Sequence, residues 1–584
     1  MSRIRTFPFL PLLAVILLLS PAASVCAQVP VKEVTLANGM RLLMVERRDN
    51  PAIAGGWVAH VGSANERPGI TGIAHLFEHM MFKGTPTLGT KDYEKDQQII
   101  AEQERVRELM REEEANMRAM WRRGEITDLQ DPDQHTARYR ELAAEFKQLV
   151  EAQRELLVKN EFDRIYTTAG ASGMNAFTSD DLTGYFINVP ANKLELWMWM
   201  ESERLLRPVF REFYAERDVV FEERRMRTES TPIGKAAEAH LSMFWQSHPY
   251  SWPTIGWPSD IPAISKAQAD EFYSIYYAPQ NITLILVGDF DAAEAEKLAR
   301  SYFERIPRGG KDAPDVVTLE MPQEVEKRMH AEVEANPQVD IYWHTVPFQH
   351  PDSYPLAVLA QLLEGRTGRL YKGLVLGSEV ATDTFAYQSS KKWAGLFNIG
   401  GEAREGKTPE EVEQGIYAEL ERLKTEPVPD YELQKVKNNY AANEYRKLNS
   451  SFSILYQLIM YDGLGDWREI NDAAARLQAV TAADIQRVTG KYFTRKNRAV
   501  AIYTRKPGTG ADEDPDLAGL APDQKPIIQK LVGQLKAESD IEQLKAGLAQ
   551  MEQRAGGVDA KQQQFFKIYL KKLRDRIAEL ENGK

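Results

Sequence analysis

Cysteine is nearly absent from this 584-residue sequence, and the one present, Cys26, lies close to the amino terminus. This excludes disulfide bonds within the chain and zinc sites built from several thiolates, so a transition metal would have to be bound by histidine and carboxylate side chains. Long apolar runs are also missing after the first thirty residues. No later stretch approaches the roughly 20 apolar residues that a membrane span requires.

The first thirty residues have the pattern of a secretory signal peptide. Arg3 and Arg5 precede the apolar run FPFLPLLAVILLLSPAA, and ASVCAQ then supplies small residues, with cleavage expected after Ala27. We therefore expect residues 1–27 to be removed from a periplasmic or secreted protein. A lipid anchor at Cys26 is the weaker alternative.

Basic residues are fewer than acidic ones, which gives a formal net charge of −12 at pH 7. An acidic chain of this kind is a poor candidate for nucleic-acid binding. The hydrophobic content of 43% is that of a globular protein. A mature chain of about 550 residues then predicts two to four domains.

The sequence after the signal peptide alternates between strand and helix patterns. VKEVTLANGMRLLMVERRD has alternating apolar positions on both sides of Asn38-Gly39, which predicts a β-hairpin. A second strand-like run precedes GITGIAHLFEHMMFKG, where apolar residues recur at helical spacing. From about residue 91 to 164 the chain is rich in Glu, Arg, Gln and Leu and predicts a long helical hairpin. This hairpin is either a solvated strut or an arm that contacts substrate.

An internal repeat organises the rest of the chain. SKAQADEFYSIYYAPQNITLILVGD, from Ser265, aligns with TAADIQRVTGKYFTRKNRAVAIYTR, from Thr481. Each begins with a capping residue, continues through a helix to an asparagine (Asn281 or Asn497), and ends in a strand. DSYPLAVLAQLLEG similarly echoes the segment around HLFEHM, and its apolar residues replace the polar ones: Leu356 for His75, Leu359 for Glu78 and Ala360 for His79.

The fold class expected from this repeat is α+β. It consists of two homologous domains, each a mostly antiparallel sheet packed by helices, with a helical hairpin inserted in the first and a helical tail at the carboxyl terminus. The expected divisions are a signal peptide (1–27), a catalytic domain (30–308, with the insertion at about 91–164), a non-catalytic domain (315–505), and a linker with a charged helical tail (506–584).

HLFEHM carries the strongest chemical signal. His75 and His79 are four residues apart and share one face of a helix, so both imidazoles can bind one cation. Glu78 lies beside that face. A catalytic zinc needs three protein ligands and one open position, and with cysteine excluded a carboxylate is the natural third ligand. The alternative is that both histidines are structural residues bonded to backbone carbonyls. We favour the metal, because three ionisable groups buried without a partner would cost several kcal/mol.

Four motifs in order extend this signal: HLFEHMMFKGT, GMNAFTSDDLTGYF, YAERDVVFEE and HPYSWPTIGWPSDI. Together they resemble the pitrilysin/insulinase family of zinc metallopeptidases, which carry His-x-x-Glu-His in place of His-Glu-x-x-His. The resemblance covers nearly all of residues 30 to 505. The charged hairpin and the carboxyl-terminal tail fall outside it.

The resemblance implies one Zn²⁺ per chain, with His75 and His79 as ligands and Glu78 as the general base. In the family the third ligand is a glutamate seven residues after a supporting glutamate. This implies Glu223 as the ligand and Glu216 as the supporting carboxylate in ERDVVFEE. The spacing alone does not choose Glu223 over Glu222.

The family's substrate-binding strand contains Asn-Ala-x-Thr, which is matched by Asn175, Ala176 and Thr178. An extended peptide would add there as a further strand. An ordinary edge strand would have the same sequence, so this alternative stays open.

Two departures from the family pattern affect the prediction. The inserted hairpin separates Met80 from the MNAFT strand; we expect it to project from the rim of the site, where it could restrict entry. The family also commonly supplies an arginine and a tyrosine seven residues apart from a non-catalytic domain, but Val375 and Thr382 stand at those places here. A related chain, in a homodimer or heterodimer, is therefore expected to supply the pair.

The resulting prediction is a periplasmic or secreted zinc endopeptidase acting on extended peptides or unfolded segments. The main alternative is an inactive, chaperone-like clamp for extended polypeptides. Retention of the complete set His75, Glu78, His79 and Glu223 argues against the clamp. A metal store or sensor is less favoured still, because it would not need Glu78 beside an open coordination position.

Overall fold

The computed structural model describes residues 28–506, 540–555 and 560–581, together with residues 520, 524, 527–528, 531–533, 535 and 538 between them. The predicted signal peptide lies outside the described residues. Within residues 28–506 the chain forms two β-sheets, and each sheet is packed by helices. The expected α+β class with two related units is confirmed.

The first sheet has six strands in the spatial order β1-β2-β6-β3-β5-β4. The Asn38-Gly39 hairpin joins β1 to β2, as predicted, and β2 pairs with β6 in the parallel direction while the other pairs are antiparallel. β4 ends the sheet, so one of its edges has no neighbouring strand among the described residues. The strands are β1 (Lys32–Thr35), β2 (Arg41–Glu46), β3 (Ala52–Ala59), β4 (Ser172–Thr178), β5 (Thr183–Pro190) and β6 (Ile282–Gly288).

The second sheet repeats this topology without the first strand. Its order is β7-β11-β8-β10-β9, again with a single parallel pair, β7 with β11. β7, β11, β8, β10 and β9 therefore correspond to β2, β6, β3, β5 and β4. The strands are β7 (Lys327–Val333), β8 (Gln338–Thr345), β9 (Ala381–Ser390), β10 (Gly395–Ala403) and β11 (Arg498–Arg505).

Nine α-helices of the described chain precede β7. They include the predicted helix around HLFEHM and the inserted hairpin. They are α1 (Ile73–Met80), α2 (Tyr93–Arg122), α3 (Ala137–Arg154), α4 (Glu161–Thr168), α5 (Leu194–Leu206), α6 (Phe213–Arg224), α7 (Gly234–Phe244), α8 (Lys266–Tyr276) and α9 (Ala292–Phe303).

The helices after β8 form the second unit and the tail. The two helices of the tail, α16 (Ile541–Ala555) and α17 (Ala560–Glu581), pack on each other through a small apolar cluster. No helix in the described ranges is both long and apolar enough to cross a membrane. The helices are α10 (Ser353–Leu363), α11 (Pro409–Thr425), α12 (Asp430–Lys447), α13 (Ser451–Leu464), α14 (Glu469–Gln478), α15 (Ala482–Tyr492), α16 (Ile541–Ala555) and α17 (Ala560–Glu581).

The two copies of the sequence repeat form equivalent hydrogen bonds in the structure. Ser265 and Thr481 begin α8 and α15 with matching capping boxes. The asparagine after each helix donates its side-chain amide to a carbonyl at the helix end and to a second carbonyl at the end of the central strand, either in its last residues or directly after it. The pairs are Asn281 with Tyr276 and His60, and Asn497 with Tyr492 and His344. These asparagines thus fix the helix-to-strand connection in both units.

The two units are packed together by α13. This helix belongs to the second unit but lies across β3 and β6 of the first sheet, where Leu455 and Ile459 enter its apolar core. The buried Asp462 on the same helix accepts a hydrogen bond from Arg41, at 2.7 Å, on β2. The face of the first sheet opposite α1 is therefore covered by the second unit.

The base of the inserted hairpin is held by a buried arginine. Arg211 pairs with Asp96 of α2 at 2.6 Å, and its remaining nitrogens donate to the carbonyls of Leu88 and Thr85. Both charged side chains are essentially inaccessible to solvent. Since Gln153 of α3 also donates to Asp96, the two helices and the body of the domain meet at one carboxylate.

Replacing Asp96 with alanine is expected to destabilise the protein by about 3 kcal/mol, because it leaves the Arg211 charge buried without its partner. Denaturant unfolding of the purified protein measures this loss. The matched control is Glu102→Ala, which removes an exposed pair with Arg105 on the same helix and should leave the unfolding midpoint unchanged. Equal losses in the two variants would contradict the assigned role of Asp96.

Candidate metal centre

The helix that carries the motif is anchored at its amino terminus by Glu66. Its carboxylate accepts hydrogen bonds from the backbone N–H groups of Gly72 and Ala74, at 2.9 and 2.8 Å. These groups have no partner within α1, so a carboxylate placed there satisfies them and interacts favourably with the helix dipole. Gly72 has a φ of 94°, a conformation that favours glycine. Burial raises the pKa of Glu66 well above its usual range.

Three potential ligands converge beside α1. The rings of His75 and His79 lie 5.0 Å apart, centroid to centroid, and α6 brings Glu223 against both. The Glu223 oxygens lie 3.8 Å from Nε2 of His75 and 3.5 Å from Nε2 of His79. One ligand atom from each residue falls within 4.8 Å of the other two. The structure therefore brings together the two histidines and the carboxylate that the motif resemblance implied.

The chemistry of this group fits a divalent metal. Burial, together with the nearby charges of His79 and Arg227, lowers the pKa of His75 to about 3, so the ring is neutral and retains a lone pair. Its buried Nδ1 has no hydrogen-bond partner in the described structure. The separations of Nε2 from Glu223 are longer than hydrogen bonds. Two imidazoles and one carboxylate match the ligand set of catalytic zinc sites.

The structure distinguishes the two glutamates that spacing left equivalent. Glu223 has a largely buried side chain facing the histidines, and Arg227 pairs with it at 2.7 Å from the outer side. Glu222 points outward, is 60% exposed, and pairs with Arg225. Only Glu223 of the two can reach a cation held by His75.

Glu216 lies behind His79. It accepts a hydrogen bond from Nδ1 of His79 at 2.8 Å and pairs with Nζ of Lys83 at 2.5 Å. Burial alone would raise the pKa of Glu216, but the bonds to His79 and Lys83 outweigh it and hold that pKa at about 2. Burial correspondingly lowers the pKa of His79, but Glu216 and the nearby carboxylates raise it overall. Nδ1 thus carries the proton, and Nε2 turns towards Glu223.

Replacing Glu216 with glutamine is expected to weaken zinc binding about 10–100-fold without abolishing it, since the change removes the charge that orients His79 and raises its basicity. Competition with a chromophoric chelator measures the affinity. Glu212→Gln is the matched control, because Glu212 also pairs with Lys83 but is not bonded to His79. A loss as large as that caused by removing a ligand would contradict a supporting role.

Glu78 is held by the edge strand. Its Oε2 accepts a hydrogen bond from the Thr178 hydroxyl at 2.7 Å. Burial raises the pKa of Glu78, and the bond from Thr178 only partly opposes this effect. A carboxylate with a raised pKa is a more effective proton acceptor near neutral pH. No sequence signal linked Thr178 to Glu78, because the two residues are 100 positions apart.

A cavity of about 430 Å³ opens beside Glu78 and His79. Asn175 and Ala176 of the predicted substrate-binding strand line it, and the side-chain oxygen of Asn175 accepts from the backbone N–H of Ala176. Residues 157–162, where the inserted hairpin returns to the domain, form another part of the wall. The insertion therefore contributes to the site through its base.

A His-x-x-Glu-His helix facing a glutamate from a second helix, in the first of two related α/β units, defines the class of inverted-motif metallopeptidases. The comparisons with known proteins agree with that class. Residues 43–106 match the family model described as insulinase (peptidase family M16), and residues 263–440 match the one described as peptidase M16 inactive domain. The matches support the resemblance of the chain to the pitrilysin/insulinase family of peptidases.

Relatives with similar sequence and structure span most of the chain. A zinc protease, PqqE, of Helicobacter pylori is 27% identical over 493 residues, which cover 82% of this chain and 95% of PqqE. The crystal structure of a protease from Helicobacter pylori superposes with a TM-score of 0.66 at 25% identity, covering 82% of this chain and 99% of that one. The periplasmic protease PqqL of Escherichia coli has the same fold, with a TM-score of 0.60 at 18% identity and coverage of 86% and 50%.

The match to an inactive domain begins just before α8 of the first unit, continues into the second unit, and leaves the motif outside it. That segment contains α10, where buried Leu356, Leu359 and Ala360 occupy the places of the polar residues on α1. His75 and His79 lie in the segment that matches the insulinase model. The polar set therefore lies in the segment that matches the insulinase model, and its apolar counterpart on α10 lies in the segment that matches the inactive-domain model.

Proposed function

We propose that the chain is a periplasmic or secreted zinc endopeptidase that hydrolyses extended peptides or unfolded segments. The convergence of His75, His79 and Glu223, with Glu78 on the same helix as the histidines, carries this proposal. The zinc proteases among its relatives support it. The location rests on the predicted signal peptide and on the likeness to a periplasmic protease.

In this proposal His75, His79 and Glu223 would hold one zinc ion, with Nε2 as the ligand atom of each histidine. When bound, zinc supplies Lewis-acid polarisation of water and of the peptide carbonyl. Glu216 keeps the proton on Nδ1 of His79, so that Nε2 is free to bind. Glu78 accepts a proton from the attacking water and returns it to the leaving nitrogen. The Thr178 hydroxyl orients the carboxylate for both transfers.

Substrate would bind along β4. The outer edge of this strand faces no other strand in the described chain, so an extended peptide can pair with its backbone N–H and C=O groups. Asn175 and Ala176 lie where such a peptide would pass the cavity beside Glu78. The hydroxyl of Thr178 is engaged by Glu78, so Thr178 contributes to the proposed binding strand through its backbone. Recognition through the backbone predicts a preference for unfolded chain with loose side-chain specificity.

A related chain would complete the site. Val375 is buried in the π-helical segment Tyr371–Gly377, and the Thr382 hydroxyl donates to the Glu402 carboxylate. Neither position presents the arginine or tyrosine that family members use near the zinc. The proposed homodimer or heterodimer predicts that specific activity rises with protein concentration, or on mixing with a homologous chain. Constant specific activity of a monomer would overturn this part of the proposal.

Hydrolysis of a quenched-fluorescence peptide library by the mature, zinc-loaded chain tests the main proposal. Activity that a chelator removes and added zinc restores would support the peptidase. Binding of unfolded peptides without cleavage, with zinc present and any homologous partner added, would instead support the inactive clamp.

A further inference from the structure

The turn between β4 and β5, residues 179–182, is held by the second unit. Asp181 in this turn is 4% exposed, and both of its carboxylate oxygens are used. One accepts a hydrogen bond from the Tyr250 hydroxyl at 2.7 Å. The other accepts from the backbone N–H of Lys392 at 3.0 Å, in the turn between β9 and β10. The carboxylate thus joins a turn of the first sheet to a turn of the second.

Neighbouring contacts reinforce this junction. The Tyr250 oxygen accepts a hydrogen bond from the backbone N–H of Trp393 at 3.1 Å. Lys391 pairs with Asp180 at 2.8 Å, and its ammonium group lies 4.6 Å from the centre of the Tyr250 ring. We call Asp180, Asp181, Tyr250 and residues 391–393 the clasp. Lys391 and Lys392 of the second unit therefore contact the turn directly, and Trp393 contacts it through Tyr250.

The same turn is bound from the other side by the loop that leads to α1. The backbone N–H groups of Ser63 and Ala64 donate to the carbonyls of Ser179 and Asp180, at 3.1 and 2.8 Å. The approach is close enough that a Cβ on Gly62 would lie 2.3 Å from the Ser179 carbonyl. The loop continues to Glu66, which caps α1. The loop of residues 62–66 thus contacts both the turn that the clasp holds and the amino terminus of α1.

The turn follows directly after Thr178, whose hydroxyl holds Glu78. β4 itself is weakly anchored, because it is an edge strand and its pairing with β5 is irregular between Ser172 and Asn175. The firm pairing is confined to residues 175–178, next to the turn. A shift of the turn would therefore move Thr178 relative to Glu78.

We propose that Asp181 is a positioning residue through which the second unit sets the edge strand, and with it the Thr178 hydroxyl that orients Glu78. The part that concerns turnover rests on the proposed peptidase function. The second unit, which lacks the metal-binding residues at α10, thereby acts on the geometry of the site in the first unit.

The clasp can be loosened by two conservative changes. Asp181→Asn keeps one acceptor for Tyr250 but offers an amide nitrogen that cannot accept from Lys392. Tyr250→Phe removes the hydroxyl that bridges Asp181 and Trp393. The matched control is Tyr503→Phe, since Tyr503 is also buried but its hydroxyl has no hydrogen-bond partner in the described structure.

A double-mutant cycle with Thr178→Val separates positioning from a general structural role. We expect each clasp variant to lower kcat about tenfold in the wild-type background, and less than about twofold when Thr178 is already valine. Tyr503→Phe should be neutral in both. Equal losses in the two backgrounds would overturn the positioning role, and so would unchanged kcat in both clasp variants.

Hydrogen–deuterium exchange tests the clasp without relying on activity. Both clasp variants should exchange faster than wild type at residues 175–178 and 391–394, with α8 and β6 unchanged and the zinc content retained. Unchanged exchange at residues 175–178 would overturn the mechanical coupling. If the wild-type chain hydrolyses no peptide while exchange responds as expected, the peptidase proposal fails and the structural role of the clasp stands.

Discussion

Replacing Glu78 with glutamine is expected to lower kcat by about 10²–10⁴-fold while the zinc content stays at one per chain. Glutamine has the same shape and can still accept the hydrogen bond from Thr178, but it cannot take a proton from water. Burial raises the pKa of Glu78, so the wild-type carboxylate is suited to both accepting and returning that proton. Steady-state hydrolysis of a quenched-fluorescence peptide, with metal analysis of the same samples, measures both quantities.

The control for this variant is Glu212→Gln, which removes a carboxylate from the same cavity without touching the histidines. It should retain nearly wild-type turnover. Zinc loss in Glu78→Gln would show that Glu78 is a ligand, and full activity in Glu78→Gln would exclude it as the base. The clamp alternative predicts no turnover in wild type, Glu78→Gln or Glu212→Gln.

Replacing Glu223 with alanine is expected to weaken zinc binding by about two to three orders of magnitude, since one of three protein ligands is lost. His75 and His79 would remain as a two-ligand site. The change also leaves Arg227 beside the histidines without its partner, which further disfavours a cation there. A competition titration against a chelator measures the change.

Glu222→Ala is the matched control, because Glu222 is the adjacent residue of the same helix but points into solvent. Its zinc affinity should equal that of the wild-type chain. If Glu222→Ala lowers the affinity and Glu223→Ala does not, the ligand has been misassigned. Unchanged zinc affinity in both variants would make Glu216 the next candidate for the third zinc ligand.

The local features of the fold were predictable from short stretches of sequence. Asn38-Gly39 favours a tight hairpin turn because both residues tolerate positive φ, and Gly39 has a φ of 91°. Ser265 and Thr481 favour helix starts because their side-chain oxygens can accept a hydrogen bond from the backbone N–H of the third helical residue. Each of these signals depends on only a few neighbouring residues, so the turn or helix start can be predicted without knowing how the rest of the chain folds.

The sequence by itself determined the placement of His75, Glu78 and His79 on one helix, the repeat of the α/β unit, and the loss of the polar set at α10. The four-residue spacing and the repeat depend only on helical geometry and on self-similarity along the chain. The family resemblance implied Glu216 and Glu223, but spacing did not separate Glu223 from Glu222.

Only the tertiary structure decided which glutamate faces the histidines, which hydroxyl holds Glu78, and which unit holds the edge strand. Glu216 and His79 are 137 positions apart, and Lys392 and Asp181 are 211 apart. Such contacts depend on how α6 lies against α1 and how the two sheets dock. The packing of distant apolar faces sets that arrangement, and no local pattern encodes it.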